Sequence, residues 1–174
     1  MNIKIKKILK KKNKSKIVSL TAYSKNIAKI LDNYCDIILV GDSMANVLYG
    51  QKNTHQINLE NIIQHTISVK KGVKNSLLVV DMPKGTYSNS ILAKKNAKYI
   101  MRLTKCDAVK IESNGRNFNI IKELVKIKIP VMGHIGLTPQ SYLNLGLKKQ
   151  GENLESQEKI KREASILENL GCFS

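Results

Sequence analysis

Four ionisable side chains stand at the ends of separate short apolar runs. Asp42 follows Ile37–Val40, Asp81 follows Leu77–Val80, Glu112 closes the run 108–112, and His134 lies near the end of 130–135. Lys110 lies two residues before Glu112, so in extended backbone both side chains point to the same side. One Asp after a strand is ordinarily a helix cap or a turn residue. Three acids at three strand ends, with a lysine among them, raise a second reading, a divalent-cation site. Oxygen donors with few histidines suit Mg²⁺ rather than zinc. His134 taken alone reads as a structural hydrogen-bonding residue, and His55 and His65 do not pair at a ligand spacing. Cys35 and Cys106 read as core residues.

Residues so far apart in the chain need a fold that gathers them. The runs 17–22, 37–40, 77–80, 108–112 and 130–135 are mostly continuous apolar stretches rather than alternating ones, the pattern of strands covered on both faces of a parallel sheet. Helical spacing appears between them, over about 24–33, 59–71, 88–104 and 118–128, and again over about 156–170 after a glycine-bearing loop that runs through Gly151. Alternating strands and helices with right-handed crossovers leave a doubly wound sheet or a (β/α)8 barrel. No G-x-G-x-x-G or P-loop follows the first strand, so the α/β fold expected is the (β/α)8 TIM barrel. In that fold all strand C-termini meet at one rim, where catalytic groups collect. Residues 171–174 read as the start of a sixth strand. The expected organisation is a basic N-terminal arm at 1–16 and an incomplete barrel at 17–174.

Composition narrows the function classes. Of 174 residues, 42% are hydrophobic and 25% charged, which argues against wholesale disorder. No apolar run approaches the roughly 18 residues of a membrane span. The basic N-terminus lacks the apolar stretch of a signal peptide. Three cysteines without a CxxC pair fit a reduced, cytoplasmic protein. The net charge of +17 comes from 27 lysines and only three arginines, eight of the lysines within the first sixteen residues. Nucleic-acid readers rely on arginine forks and stacking aromatics; here tryptophan is absent and phenylalanine occurs twice. A solvated lysine surface is therefore preferred to a specific nucleic-acid site, the basic nucleic-acid-binding protein being kept as an alternative of another class.

At the same strand ends a resemblance emerges. Val40-Gly41-Asp42-Ser43, Asp81-Met82-Pro83, Val109-Lys110-Ile111-Glu112 and the block 133–141 (Gly-His-Ile-Gly-Leu-Thr-Pro-Gln-Ser) resemble the motifs of the ketopantoate hydroxymethyltransferase family. Thr21-Ala22-Tyr23, His65-Thr66 and Gln150-Gly151 match in order and spacing, so the resemblance runs from about Lys16 to Ser174. It implies a homo-oligomeric (β/α)8 barrel that carries Mg²⁺ and transfers a hydroxymethyl group from 5,10-methylenetetrahydrofolate to 3-methyl-2-oxobutanoate through a Mg²⁺-stabilised enolate. Asp42 and Asp81 then correspond to metal-binding carboxylates and Glu112 to the third acid of the metal's surroundings. Asp42, Ser43, Asp81 and Lys110 correspond to keto-acid-binding residues, with Tyr23 and His134 as active-site support. The family's proton-accepting glutamate is expected on the sixth strand, past Ser174, so a chain of these 174 residues alone is expected to be inactive.

Three departures touch the rim: Ser24 stands where an Asp usually follows Thr-Ala-Tyr, Lys84 where an aromatic usually follows Asp-x-Pro, and Met44-Ala45-Asn46 where glycine is more frequent. A second enzyme reading is the phosphoenolpyruvate mutase and isocitrate lyase group, which shares the barrel and Mg²⁺-bound 2-oxo acids but lacks the 133–141 block as written here.

Overall fold

The computed structural model describes residues 2–141 and 149–174. Strands β1 (Ser19–Thr21), β2 (Ile37–Val40), β3 (Leu77–Asp81), β4 (Ala108–Glu112) and β5 (Val131–His134) form one all-parallel sheet in the order β1-β2-β3-β4-β5. The connections carry α2 (Lys25–Leu31), α3 (Met44–Val47) with α4 (Leu59–Lys70), α5 (Ser90–Thr104) and α6 (Phe118–Lys126), and α7 (Leu154–Asn169) follows β5. A doubly wound sheet reverses its order at a switch point. This one winds in a single direction, as a barrel does. Phe173 N–H donates to Val131 O at 3.1 Å and Gly133 N–H to Ser174 O at 2.8 Å, so the last residues lie along β5 where a sixth strand is expected. The loop expected through Gly151 includes residues 142–148, which lie outside the described residues.

The pleat sorts side chains into two cores. On one face Ile38, Val40, Leu78, Val80, Val109, Ile111 and Val131 pack with Ile62, Ile63, Ala97, Ile100, Ile121, Leu124 and Leu167 of the helices. On the other, Ile37, Leu77, Val79 and Ala108 meet Ile5 and Ile8. At β5 the helix layer comes so close that a Cβ on Gly133 would lie 2.6 Å from Leu167 Cδ1, so any larger residue there requires the leucine tip to shift.

Ile5 and Ile8 correct the expectation for residues 1–16. The segment is no solvated arm: Ile3–Lys11 is a helix, α1, with both isoleucines buried against the inner face of the sheet. High positive charge masked a one-sided apolar pair at helical spacing. The lysines hold the helix at the N-terminal ends of the strands. Lys4 Nζ donates to Ser76 O at 2.8 Å and lies 3.6 Å from Asp107. Lys11 reaches Asp36 at 2.5 Å, and Lys12 pairs with Glu168.

A second anchor stands before β3. Asp32 accepts backbone N–H bonds from Lys74 and Asn75 at 3.0 Å and from Ser76 at 2.8 Å, fixing the turn from α4 into the strand. Burial pushes this carboxyl up, but the N–H donors of Ser76, Asn75 and Lys74 together outweigh it and hold it below the ordinary 3.8. Stability from such a group is fully present above its unfolded value and is lost as pH falls through the lower folded value. In the full-length protein, Asp32→Ala is expected to cost about 1–3 kcal/mol at pH 7 through unsatisfied donors. Denaturant melts should show the gap to the unmodified protein narrowing as pH drops below 3.8.

Candidate active site

The inward file of side chains is apolar low in the strands and polar at their C-terminal ends. Two residues past Val79 comes Asp81, and two past Ala108 comes Lys110, the two lying opposite each other in the β3–β4 register. Lys110 Nζ donates to Asp81 Oδ1 at 2.7 Å. The chain leaving β2 turns at Gly41, and the Asp42 backbone N–H donates to Asp81 Oδ2 at 3.1 Å. Both oxygens of Asp81 are thereby fixed, with the Asp42 residue beside them. Asp42, Asp81 and Glu112 are only 8%, 4% and 4% exposed, so three carboxylates share a largely dry rim.

Gln140 joins the strand ends. The loop after β5 returns over the rim and places its Nε2 2.8 Å from Asp42 Oδ2 and 3.1 Å from Met82 O, donating to both. Its backbone N–H lies 3.1 Å from each Glu112 oxygen, and Ser141 Oγ donates to Glu112 Oε2 at 3.3 Å. Tyr87 OH donates to Gln140 Oε1 at 2.5 Å. One residue thus ties the ends of three strands, its side-chain amide those of β2 and β3 and its backbone N–H that of β4. Sequence reading gave Gln140 no separate role, although it lies in the quoted 133–141 block, and Tyr87 carried no signal at all.

The electrostatics follow from crowding acids in a dry place. Burial, then the neighbouring Asp81 charge, raises the Asp42 carboxyl, against donation from Gln140 and the Lys110 charge. Glu112 is pushed up to about 7, mainly by burial with Asp42 adding, against the Gln140 N–H. Burial and then Lys110 lower His134 to about 4. The imidazole is therefore neutral at neutral pH, and its 3.6 Å approach to Glu112 Oε1 is no ion pair. Burial, followed by the charges of Glu112, Asp42 and Asp81, pushes the Tyr87 phenol upward.

To one side, Ser43 Oγ lies 2.8 Å from Tyr23 OH. His65 braces that tyrosine: its Nδ1 is 2.7 Å from Tyr23 O and its Nε2 is 2.8 Å from Tyr49 OH. The structure therefore brings Asp42, Asp81 and Lys110 into direct contact, joins Glu112 to them through Gln140, and sets His134 beside Glu112. Among the described residues no three His, Cys, Asp or Glu side chains form a metal-holding group. What the rim offers a cation is the Asp42–Asp81 pair, with Glu112 turned to the N–H of Gln140.

A family model described as ketopantoate hydroxymethyltransferase matches residues 2–174. A 3-methyl-2-oxobutanoate hydroxymethyltransferase of Pelagibacter ubique (strain HTCC1062) is 52% identical over 174 residues, 100% of this chain and 67% of that protein. One of Thermococcus kodakarensis is 43% identical over 173 residues, covering 97% of this chain and 60% of its own length. The chain therefore spans about two thirds of the length of the curated relatives it matches. Among solved structures, phosphonopyruvate hydrolase in complex with oxalate and Mg²⁺ superimposes with a TM-score of 0.69 at 11% identity, covering 97% of this chain and 60% of that one. A 2,3-dimethylmalate lyase of the PEP mutase/isocitrate lyase superfamily gives 0.66 at 14%, with 99% and 62% covered. At such identities the likeness is one of fold alone, that of a partial barrel.

Removing the Gln140 side chain strips Asp42, Tyr87 and the Met82 carbonyl of a partner at once. Gln140→Ala is expected to cost about 1–3 kcal/mol. Gln140→Glu should cost more, because it sets another acid against Asp42. Urea melts of the full-length protein check both, and the order of the two variants is the diagnostic result.

Proposed function

This chain belongs to the ketopantoate hydroxymethyltransferase family, and from that membership we propose that its protein converts 3-methyl-2-oxobutanoate to 2-dehydropantoate, the first committed step towards pantothenate and coenzyme A. The one-carbon donor is 5,10-methylenetetrahydrofolate. The net reaction replaces the C3–H bond of the keto acid with a bond to the donated carbon, water supplying the new hydroxyl and tetrahydrofolate leaving as the two C–N bonds of its methylene bridge break. The place of work is the cytoplasm, in a homo-oligomer; no helix among the described residues is long and apolar enough to cross a membrane.

The observation that carries the reading is the buried pair Asp42 and Asp81 with Lys110 against it. The donor set fits Mg²⁺: it is all oxygen, and the burial that raises Asp42, with the Asp81 charge adding, is what a divalent cation offsets. Asp42 and Asp81 would hold that ion, which when bound supplies a Lewis acid for negative charge developing on the substrate's 2-oxo oxygen. Lys110, anchored on Asp81, offers its ammonium to the substrate carboxylate. Ser43, held by Tyr23, offers a directional hydroxyl to the same end of the substrate. Gln140 fixes the Asp42 carboxylate with its side chain and the Glu112 carboxylate with its backbone N–H. His134, being neutral, adds no charge to the rim. The base that removes the C3 proton is the glutamate that the family resemblance leads one to expect on a sixth strand, and Phe173 and Ser174 lie along β5 where that strand would run. General-base catalysis of this kind is worth roughly 10²–10⁴-fold.

Enolisation is separable from carbon transfer, so the full-length protein should exchange the C3 proton of 3-methyl-2-oxobutanoate in deuterated buffer with Mg²⁺ and no folate. Asp81→Asn should lower that exchange by roughly 10²-fold or more. NMR of the C3 signal checks it. Exchange undiminished by the substitution or by metal removal would contradict the assignment.

A further inference from the structure

Outside the Tyr87–Gln140 hydrogen bond the rim opens into a cleft of about 710 Å³, within the range of small-molecule sites. Three cations from three separate elements line it: Lys84 after β3, Arg116 in the turn after β4, and Lys159 on α7. All three side chains are exposed. Among the described residues none of them is ion-paired with a carboxylate. Lys84 Nζ does no more than approach the two ring nitrogens of His55, at 3.4 Å each. Glu163, one turn along α7 from Lys159, makes no ion pair with it. Three cations around one hollow repel one another, a cost that an anionic ligand reverses.

The floor of the cleft says where such a ligand leads. Tyr87 and Gln140 both line it, and Gln140 is hydrogen-bonded to Asp42. A long molecule lying there has one end a single side chain away from the carboxylate pair and its other end among the cations. Lys84 is the residue at which this chain departs from the aromatic that the family resemblance leads one to expect, so one of the charges belongs to this chain's own rim.

We propose that the cleft binds the glutamyl tail of the folate co-substrate, with Lys84, Arg116 and Lys159 taking its carboxylates. This rests on the function proposed above and adds to it a preference for donors with more than one glutamyl residue. Arg116 supplies a planar fork for a carboxylate, and the lysines act as mobile point charges. The cations stand in solvent, so their effect is moderate and falls with added salt.

The test compares 5,10-methylenetetrahydrofolate bearing one and three glutamyl residues, using the full-length enzyme and its Arg116→Gln/Lys159→Gln variant. The unmodified enzyme should show a KM about three- to tenfold lower for the triglutamate, an advantage that shrinks in added salt. The double variant should lose it, and an Arg116→Lys/Lys159→Arg enzyme should keep most of it. Folate-independent C3 proton exchange should be the same in all three, which also reports that each is folded. Equal triglutamate preference in the unmodified and double-variant enzymes would overturn the proposal. So would inorganic phosphate that raises both KM values alike, since that marks a general anion site. If the unmodified enzyme exchanges no proton, the underlying function fails and this proposal falls with it.

Discussion

The two-residue repeat of a parallel strand is the constraint on which the rest of this structure depends. It sends Leu77, Val79 and Asp81 to one face, and Ala108, Lys110 and Glu112 to the same face of the next strand. Low on the strands those positions are apolar and must be covered, which α1 does with Ile5 and Ile8. High on the strands they are ionisable, and the register puts Lys110 against Asp81 and His134 against Glu112. A slip of one residue would turn every one of these groups into the helix layer. Packing and site are therefore set by one register.

Burying three carboxylates beside a single lysine is expensive unless each oxygen has a partner. The structure meets that cost mostly with neutral donors: the Asp42 N–H to Asp81, the Gln140 amide to Asp42, and the Gln140 N–H with the Ser141 hydroxyl to Glu112. Such donors orient the acids without cancelling their charge. Burial and uncancelled negative charge together raise the Asp42 and Glu112 carboxyls, and the divalent cation proposed for the rim would offset both.

The strands were legible because continuous apolar runs have few alternative homes. The run at 37–40 and the one at 108–112 coincide with β2 and β4, and β3 extends the expected run by one residue to include Asp81. The convergence of Asp42, Asp81 and Lys110 followed from topology, because strand ends of one direction meet at one rim. What stayed hidden depended on tertiary contact. Eight lysines concealed the two isoleucines of α1, whose value lies in the apolar face they cover. The short helix α3 occupies a stretch without sustained periodicity, and burial of Met44 and Ala45 is what accompanies it. Gln140 could not be ranked from spacing, since its partners Asp42, Met82 and Glu112 lie 98, 58 and 28 residues earlier in the chain.

The central claim, that Asp42 and Asp81 form the cation-holding pair of the rim, is most directly tested by anomalous scattering from Mn²⁺ in crystals of the full-length protein with 3-methyl-2-oxobutanoate. One strong peak bonded to carboxylate oxygens of both aspartates is expected, with the substrate carboxylate on the Lys110 side. A peak at any other cluster, or none at the rim with substrate bound, would contradict it.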